Sequence, residues 1–216
     1  MRQFAVIGLG RFGMKVALTL AELGMPVIAI DNNARRVELI ADKVAFALKA
    51  DATDKKALGM AGVSSADVAV VSLGEQLEAS VLVTIILREI GVEQIIVKGT
   101  SPEHGKILEL VGASQVVFPE EDIAQRVAQK IIAPNIVDHI PLLPGYSIIE
   151  FVAPEQFLGK TLLDLNLRRN FGVEVLVIRK GENIKVIPSA MDKIEEGDTL
   201  VILGRDEDVQ KIRSVE

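Results

Sequence analysis

An apolar run, Phe4-Ala5-Val6-Ile7, leads without interruption into Gly8-Leu9-Gly10-Arg11-Phe12-Gly13, and a second, Val27-Ile28-Ala29-Ile30, stops on Asp31. Few patterns restrict a fold as much. The order is strand, glycine turn, helix start, second strand and terminal carboxylate, the opening βαβ unit of a doubly wound sheet. A diphosphate rests on a helix N-terminus only where the backbone turns sharply and no Cβ holds the phosphate oxygens away from the amide N–H groups. Gly8 permits the turn, Gly10 the close approach and Gly13 the packing of helix on strand. Asp31, eighteen residues beyond Gly13, falls where a strand-end carboxylate accepts hydrogen bonds from ribose hydroxyls. The intervening helix, Arg11 to Leu23, is apolar at Phe12, Val16, Ala17, Leu20 and Leu23, so the pattern reads as a site for an adenine nucleotide.

Beyond Asp31 the alternation continues at βαβ spacing. The sequence predicts helix over 35–43, strand over 46–48, helix over 55–61, strand over 68–73, helix over 75–90, strand over 95–97, helix over 103–110 and strand over 116–118. Six strands with intervening helices complete an α/β, doubly wound, Rossmann-like parallel sheet. The composition suits it: 49% of the 216 residues are hydrophobic but only 4% aromatic, an aliphatic core of the kind that buried parallel strands and their helices build.

A further helix is expected over 120–132, with Ile123, Val127 and Ile131 in one stripe beside Ala124 and Ala128. The stripe reads equally as core packing or as a helix that crosses to a second subunit. Pro134, Pro141 and Pro144-Gly145 then predict a break in regular structure and a domain boundary. The domains expected are therefore 1–133 and 134–216. The second is a smaller α+β module, with about four short strands (147–152, 173–178, 184–187, 199–203), a helical turn at 161–165 and a closing helix at 207–212. At about seventy residues beyond the connector it lies near the lower limit for an independent core, and dimerisation would help it.

The chain has no cysteine, which excludes disulfides, thiolate metal sites and a thiol nucleophile. Its longest apolar stretches fall short of a membrane span, and the sequence enters a strand with no leader, so a soluble protein is expected. The net charge of −6 and the absence of a basic stripe or aromatic platform argue against nucleic acid as a partner.

Doubly wound sheets bind ligands at the carboxyl ends of their strands. Asp51-Ala52-Thr53 follows the third strand, Ser72-Leu73-Gly74 the fourth, Lys98 the fifth and Glu120 the sixth. Asp51 and Thr53 suit an adenine amino group, although Thr53 or Asp54 also suits the cap of the helix beginning at Lys55. Lys98 and Arg11 are candidate phosphate partners. Glu120-Glu121-Asp122 suits either a divalent cation carried by phosphates or the ordinary preference of acids for a helix start. Asp31-Asn32-Asn33 disfavours a 2′-phosphate, tempered by Arg35 and Arg36 nearby.

Acid–base groups are scarce. The two histidines, His104 at a helix start and His139 in the proline-rich connector, read as surface residues, and Tyr146 lacks a lysine four positions on, where Glu150 stands. Binding without turnover is the simpler expectation. A small NAD-dependent oxidoreductase remains the alternative from another class.

Together Phe4-Ala-Val-Ile-Gly-Leu-Gly-Arg-Phe-Gly13, Asp31, Asp51-Ala-Thr53, Ile96-Val-Lys98, Phe118-Pro-Glu120 and Leu165-Asn-Leu-Arg168 resemble the regulatory subunits of Trk/Ktr potassium transporters. In that family an N-terminal RCK domain (regulator of potassium conductance) precedes a C-terminal RCK module, and the resemblance spans essentially the whole chain. It implies a cytoplasmic protein held at the inner face of the membrane by an integral potassium-transporter subunit, with dimers joined partly through the crossover helix and assembled into an octameric ring. It implies regulatory ligands, ATP and ADP or NAD and NADH, whose binding changes the ring and the pore, and Mg²⁺ or Ca²⁺ with ATP. The nucleotide site then comprises Gly8, Gly10, Arg11, Phe12, Gly13, Asp31, Asn32, Asp51, Ala52, Thr53, Leu73, Gly74, Lys98 and Glu120, with Arg11 reaching a terminal phosphate and Glu120 the cation. A second ligand, cyclic di-AMP, is implied at Leu162, Leu163, Asn166 and Arg168. An RCK-type regulator of a different channel or transporter fits the same residues.

Overall fold

The computed structural model describes residues 2–74, 76–132 and 136–213, so the predicted helix start at Glu75 and the expected break at Pro134 lie outside the described residues. The chain divides into two compact units, residues 1–120 and 121–216.

In the first unit six strands, β1 (Phe4–Ile7), β2 (Val27–Asp31), β3 (Phe46–Lys49), β4 (Val68–Val71), β5 (Gln94–Lys98) and β6 (Gln115–Val117), form one parallel sheet in the order β3-β2-β1-β4-β5-β6. The helices α1 (Arg11–Glu22), α2 (Ala34–Glu38), α3 (Lys55–Met60), α4 (Leu77–Glu89) and α5 (Pro102–Leu110) connect them. Alternation along β1 supplies two apolar layers, Ala5 and Ile7 packing with Leu58, Leu87 and Ile95 while Val6 packs with Leu9, Ala17 and Ile40. The strand order reverses between β1 and β4, where the connections leave in opposite directions and open a crevice.

Local chemistry fixes the helix starts. Asn33, Asp54 and Ser101 each accept a first-turn amide N–H, of Arg35, Lys56 and His104 respectively. Helix α2 ends at Glu38, short of the expected residue 43, because the chain continues in tight turns (Ile40 N–H to Val37 C=O, Lys43 N–H to Ile40 C=O) that drive Ile40 into the core.

Helix α6 (Pro119–Ile132) starts in the first unit and continues in the second. Its stripe is not core in this chain: Ile123, Val127 and Ile131 are 55%, 51% and 74% exposed.

The second unit is an antiparallel sheet of five strands, β7 (Ile136–Leu143), β8 (Tyr146–Val152), β9 (Glu174–Lys180), β10 (Asn183–Val186) and β11 (Thr199–Arg205), in the order β10-β9-β11-β8-β7. The proline-bearing segment therefore does not break regular structure as expected. It forms β7, an edge strand, where a missing N–H is tolerated, and the register shifts between Pro141 and Leu143. Pro144-Gly145 makes the hairpin turn into β8, with Gly145 at φ +80. The expected turn near Thr161 is helix α7 (Leu162–Leu165), begun by a capping box between Thr161 and Asp164, and a helix not anticipated, α8 (Leu167–Phe171), follows it. With α9 (Asp206–Arg213), these helices bury Leu165, Leu167, Val209 and Ile212 against Ile149, Phe151, Leu200 and Ile202 on one sheet face. The opposite face presents Ile140, Val152, Ile184 and Val186, all more than two-fifths exposed, around an Arg179–Glu150 ion pair.

Candidate functional site

A cleft of about 370 Å³ opens at the carboxyl ends of the strands of the first unit. Of the fourteen nucleotide-site residues expected from sequence, every one but Gly13 lines it: Gly8, Gly10, Arg11, Phe12, Asp31, Asn32, Asp51, Ala52, Thr53, Leu73, Gly74, Lys98 and Glu120. Arg36, Ser72, Gln76 and Ala79 also line it. Gln76 and Ala79 sit at the start of α4, where the sequence offers only a polar helix beginning. Arg36 stands three residues after the cap Asn33, and proximity to Asp31 was its one signal.

The three glycines differ in what they permit. Gly8 has φ +89, and a Cβ there would lie 2.2 Å from the Ser72 carbonyl oxygen. A Cβ on Gly13 would lie 1.9 Å from the Gly8 carbonyl oxygen, so Gly13 lets α1 approach the turn instead of lining the cleft. Gly10 has an ordinary φ of −65, and a Cβ there would meet nothing within 4 Å, because it would stand in the open cleft. Gly10 also begins α1, whose N-terminus has no side-chain cap and no acidic residue in its first turn. Unpaired amide N–H groups and the positive end of the helix dipole are thus left to an anion.

Asp31 is buried, and three donors converge on it. Oδ2 accepts the Leu9 N–H at 2.6 Å and the Arg36 guanidinium at 3.3 Å, and Oδ1 accepts the Asn33 N–H at 2.8 Å. The carboxylate therefore anchors the glycine loop to the end of β2. Beyond the neighbouring strand β3, Asp51 Oδ1 accepts both the N–H and the hydroxyl of Thr53, at 2.9 and 2.7 Å, and these bonds hold its carboxyl below the usual range. Asp54 performs the capping of α3, which leaves the Asp51–Thr53 pair free of that duty.

At the far side Lys98 from β5 pairs with Glu120 from α6. The lysine side chain is 15% exposed and the glutamate 71%, so the ammonium is held within the cleft wall while the carboxylate reaches solvent. Lys98's hydrogen bond keeps the Glu120 carboxyl below its ordinary value. Among the described residues no group of three or more His, Cys, Asp or Glu side chains gathers to hold a metal ion. Glu120 could contribute one carboxylate to a cation that phosphates also ligate.

Both histidines depart from the surface reading. His104 is buried: its Nε2 lies 2.8 Å from Ser80 Oγ, while Nδ1 faces the Thr100 N–H at 3.3 Å and its hydroxyl at 3.0 Å. Burial pushes its pKa down. His139 is half-buried within β7, paired with Ile149.

The second unit has a cavity of about 220 Å³ lined by all four residues expected for the second ligand, Leu162, Leu163, Asn166 and Arg168, with Glu174, Pro188 and Ala190. Asn166 adopts φ +40 between α7 and α8, a left-handed conformation that asparagine tolerates. Arg168 is paired with Glu174.

The TrkA-N domain family matches residues 4–119 and the TrkA-C domain family residues 147–215. Ktr system potassium uptake protein C of Bacillus subtilis (strain 168) is 37% identical, with 97% of this chain and 95% of that protein covered. Ktr system potassium uptake protein A of Vibrio alginolyticus is 34% identical, with 99% and 98% covered. The chain belongs to the Trk/Ktr family of potassium-uptake proteins. Its TrkA-N domain carries the glycine cleft and its TrkA-C domain the smaller cavity.

Among solved structures, the RCK domain of GsuK superposes with a TM-score of 0.68 at 19% identity, covering 99% of this chain and 47% of that one. A GsuK channel bound to NAD gives 0.64 at 17%, covering 99% and 39%. These likenesses establish the RCK fold. No described helix is long and apolar enough to cross a membrane.

Proposed function

We propose that this Trk/Ktr family member is a cytoplasmic nucleotide-sensing regulatory subunit that gates an integral-membrane potassium transporter. The observation that carries the reading is the uncapped N-terminus of α1 beside Gly10, where only the absence of a Cβ keeps open the space a phosphate needs. Gly8 and Gly10 would hold the phosphates with Lys98 as a further phosphate partner, Arg11 a terminal phosphate, Asp31 the ribose, and Asp51 and Thr53 the adenine. With ATP, Glu120 would supply a carboxylate to Mg²⁺ or Ca²⁺; ADP, NAD and NADH lack that requirement.

The assembly proposed is a homodimer that builds an octameric ring, with 1–133 as nucleotide-binding domain, α6 as crossover helix and 134–216 as connector and regulatory module. Support comes from the exposed stripe Ile123, Val127 and Ile131 and from the open apolar face of the TrkA-C sheet, since patches of this kind mark interaction surfaces. A nucleotide gates only through unequal affinity for two ring states. Cyclic di-AMP is proposed for the second cavity on the strength of its four lining residues; binding there requires Arg168 to exchange Glu174 for a phosphate.

Calorimetry with ADP, ATP with and without Mg²⁺ or Ca²⁺, NAD, NADH and cyclic di-AMP, on native protein and Gly10→Ala, tests the reading. Tight nucleotide binding that Gly10→Ala abolishes, followed by nucleotide-dependent potassium flux with the transporter subunit in liposomes, is expected. Binding indifferent to Gly10→Ala, or flux indifferent to nucleotide, refutes it.

A further inference from the structure

Asp31 is the residue that should meet a ribose, yet its side chain is only 3% exposed. Its hydrogen bonds explain the shielding. A carboxylate oxygen offers about two acceptor directions. Oδ2 has both filled, by the Leu9 N–H and by the Arg36 guanidinium, and Oδ1 has one filled, by the Asn33 N–H. A ribose brings two adjacent hydroxyls and, to be held by both, needs an acceptor on each oxygen. Two of the three present donors are backbone amides, fixed by the glycine loop and by the turn into α2. Arg36 alone of the three is on a rotatable side chain; that side chain is 49% exposed, lines the cleft and has the longest of the three bonds, at 3.3 Å.

We propose that Arg36 is a specificity-determining residue for the sugar: it occupies the ribose-facing acceptor of Asp31, and a nucleotide binds by replacing the guanidinium with its own hydroxyl. The inference rests on the nucleotide-binding reading above. Its consequence is that the hydroxyl received by Oδ2 adds little net affinity in the native chain, because one charge-assisted bond replaces another, whereas the hydroxyl on Oδ1 meets an acceptor direction already open. The Oδ2 share of the sugar's contribution is set by how readily Arg36 leaves.

The test compares ADP with 2′,3′-dideoxy-ADP on native protein and on Arg36→Met, by calorimetry. Methionine keeps an apolar stem and removes the donor. Loss of the cation weakens both phosphorylated ligands alike and cancels in their ratio. The preference for ADP over the dideoxy form is expected to rise by about tenfold in Arg36→Met, the size of one hydrogen bond to a charged group. An unchanged ratio overturns the proposal. So does a smaller one, which would make Arg36 a donor to the ribose itself. Failure of both ligands to bind either protein, by contrast, refutes the nucleotide reading on which the proposal stands.

Discussion

The amide of Leu9 donates to Asp31 Oδ2 at 2.6 Å across twenty-two positions of sequence, so the carboxylate proposed for a ribose is also a structural clamp on the glycine loop. Asp31→Ala removes both roles at once. The variant is expected to bind no ADP, and to lose about 1–3 kcal/mol of stability without any ligand, because the buried Leu9 N–H is left without an acceptor. Urea denaturation of the ligand-free protein checks this. Unaltered stability would show that the clamp contributes nothing and that Asp31 serves the ligand alone.

The glycines separate binding from folding more cleanly. Gly10→Ala adds a methyl group to open space at a permitted φ, so stability should fall by no more than about 1 kcal/mol, the scale of an unfavourable N-cap residue, while ADP binding is lost. Gly13→Ala forces a Cβ against a backbone oxygen at 1.9 Å, a clash that side-chain rotation cannot relieve, and overpacking of this kind costs about 1–3 kcal/mol or more. Thermal melts of the two variants beside calorimetry decide the matter. Equal loss of stability in both would contradict the different roles assigned to the two positions.

The doubly wound sheet was legible because its signals are local: an apolar run, a glycine turn and a strand-end carboxylate each speak for themselves. Gly8, Gly10 and Asp31, which line the cleft, were read on that basis. Arg36, Gln76 and Ala79 were not assigned to the site, since their place in the cleft depends on where α2 and α4 begin relative to strands distant in sequence. Pro141 misled for a related reason. Proline predicts a break unless the strand lies at a sheet edge, and edge position is a property of the whole sheet. His104 likewise reads as a polar helix-start residue until α4 brings Ser80 against it.

Lys98 and Glu120 form a pair in which only the lysine is well covered. Glu120→Gln frees the ammonium for a phosphate and removes the carboxylate proposed for a cation. Opposite effects on ATP are therefore expected: about fivefold tighter binding without divalent cation, the scale of one partly exposed ion pair, and loss of any gain from Mg²⁺ or Ca²⁺. Titration of ATP in EDTA and in each cation measures both. A cation-dependent gain that survives in Glu120→Gln would remove Glu120 from the metal site.

His104 gives the fold a calculable response to acid. The Thr100 N–H points at Nδ1, which assigns Nδ1 as acceptor and places the proton on Nε2, facing Ser80 Oγ; that hydroxyl in turn donates a hydrogen bond to the Leu77 carbonyl. Burial lowers the imidazole pKa, and a second proton on Nδ1 would also oppose an existing donor. The unfolded chain therefore takes up a proton first as pH falls, beginning near the ordinary histidine value of about 6.5. Above that pH both states are neutral and no penalty exists. Below it stability declines, by at most about 1.4 kcal/mol per pH unit, until the folded state is protonated too. Urea midpoints at pH 7.5 and 5.5 should fall more in native protein than in His104→Gln, which cannot titrate. Because folded His104 stays neutral over that interval, ADP affinity of the folded protein should hold in native protein and variant alike. Parallel midpoints in the two proteins would mean that His104 contributes nothing to the acid response.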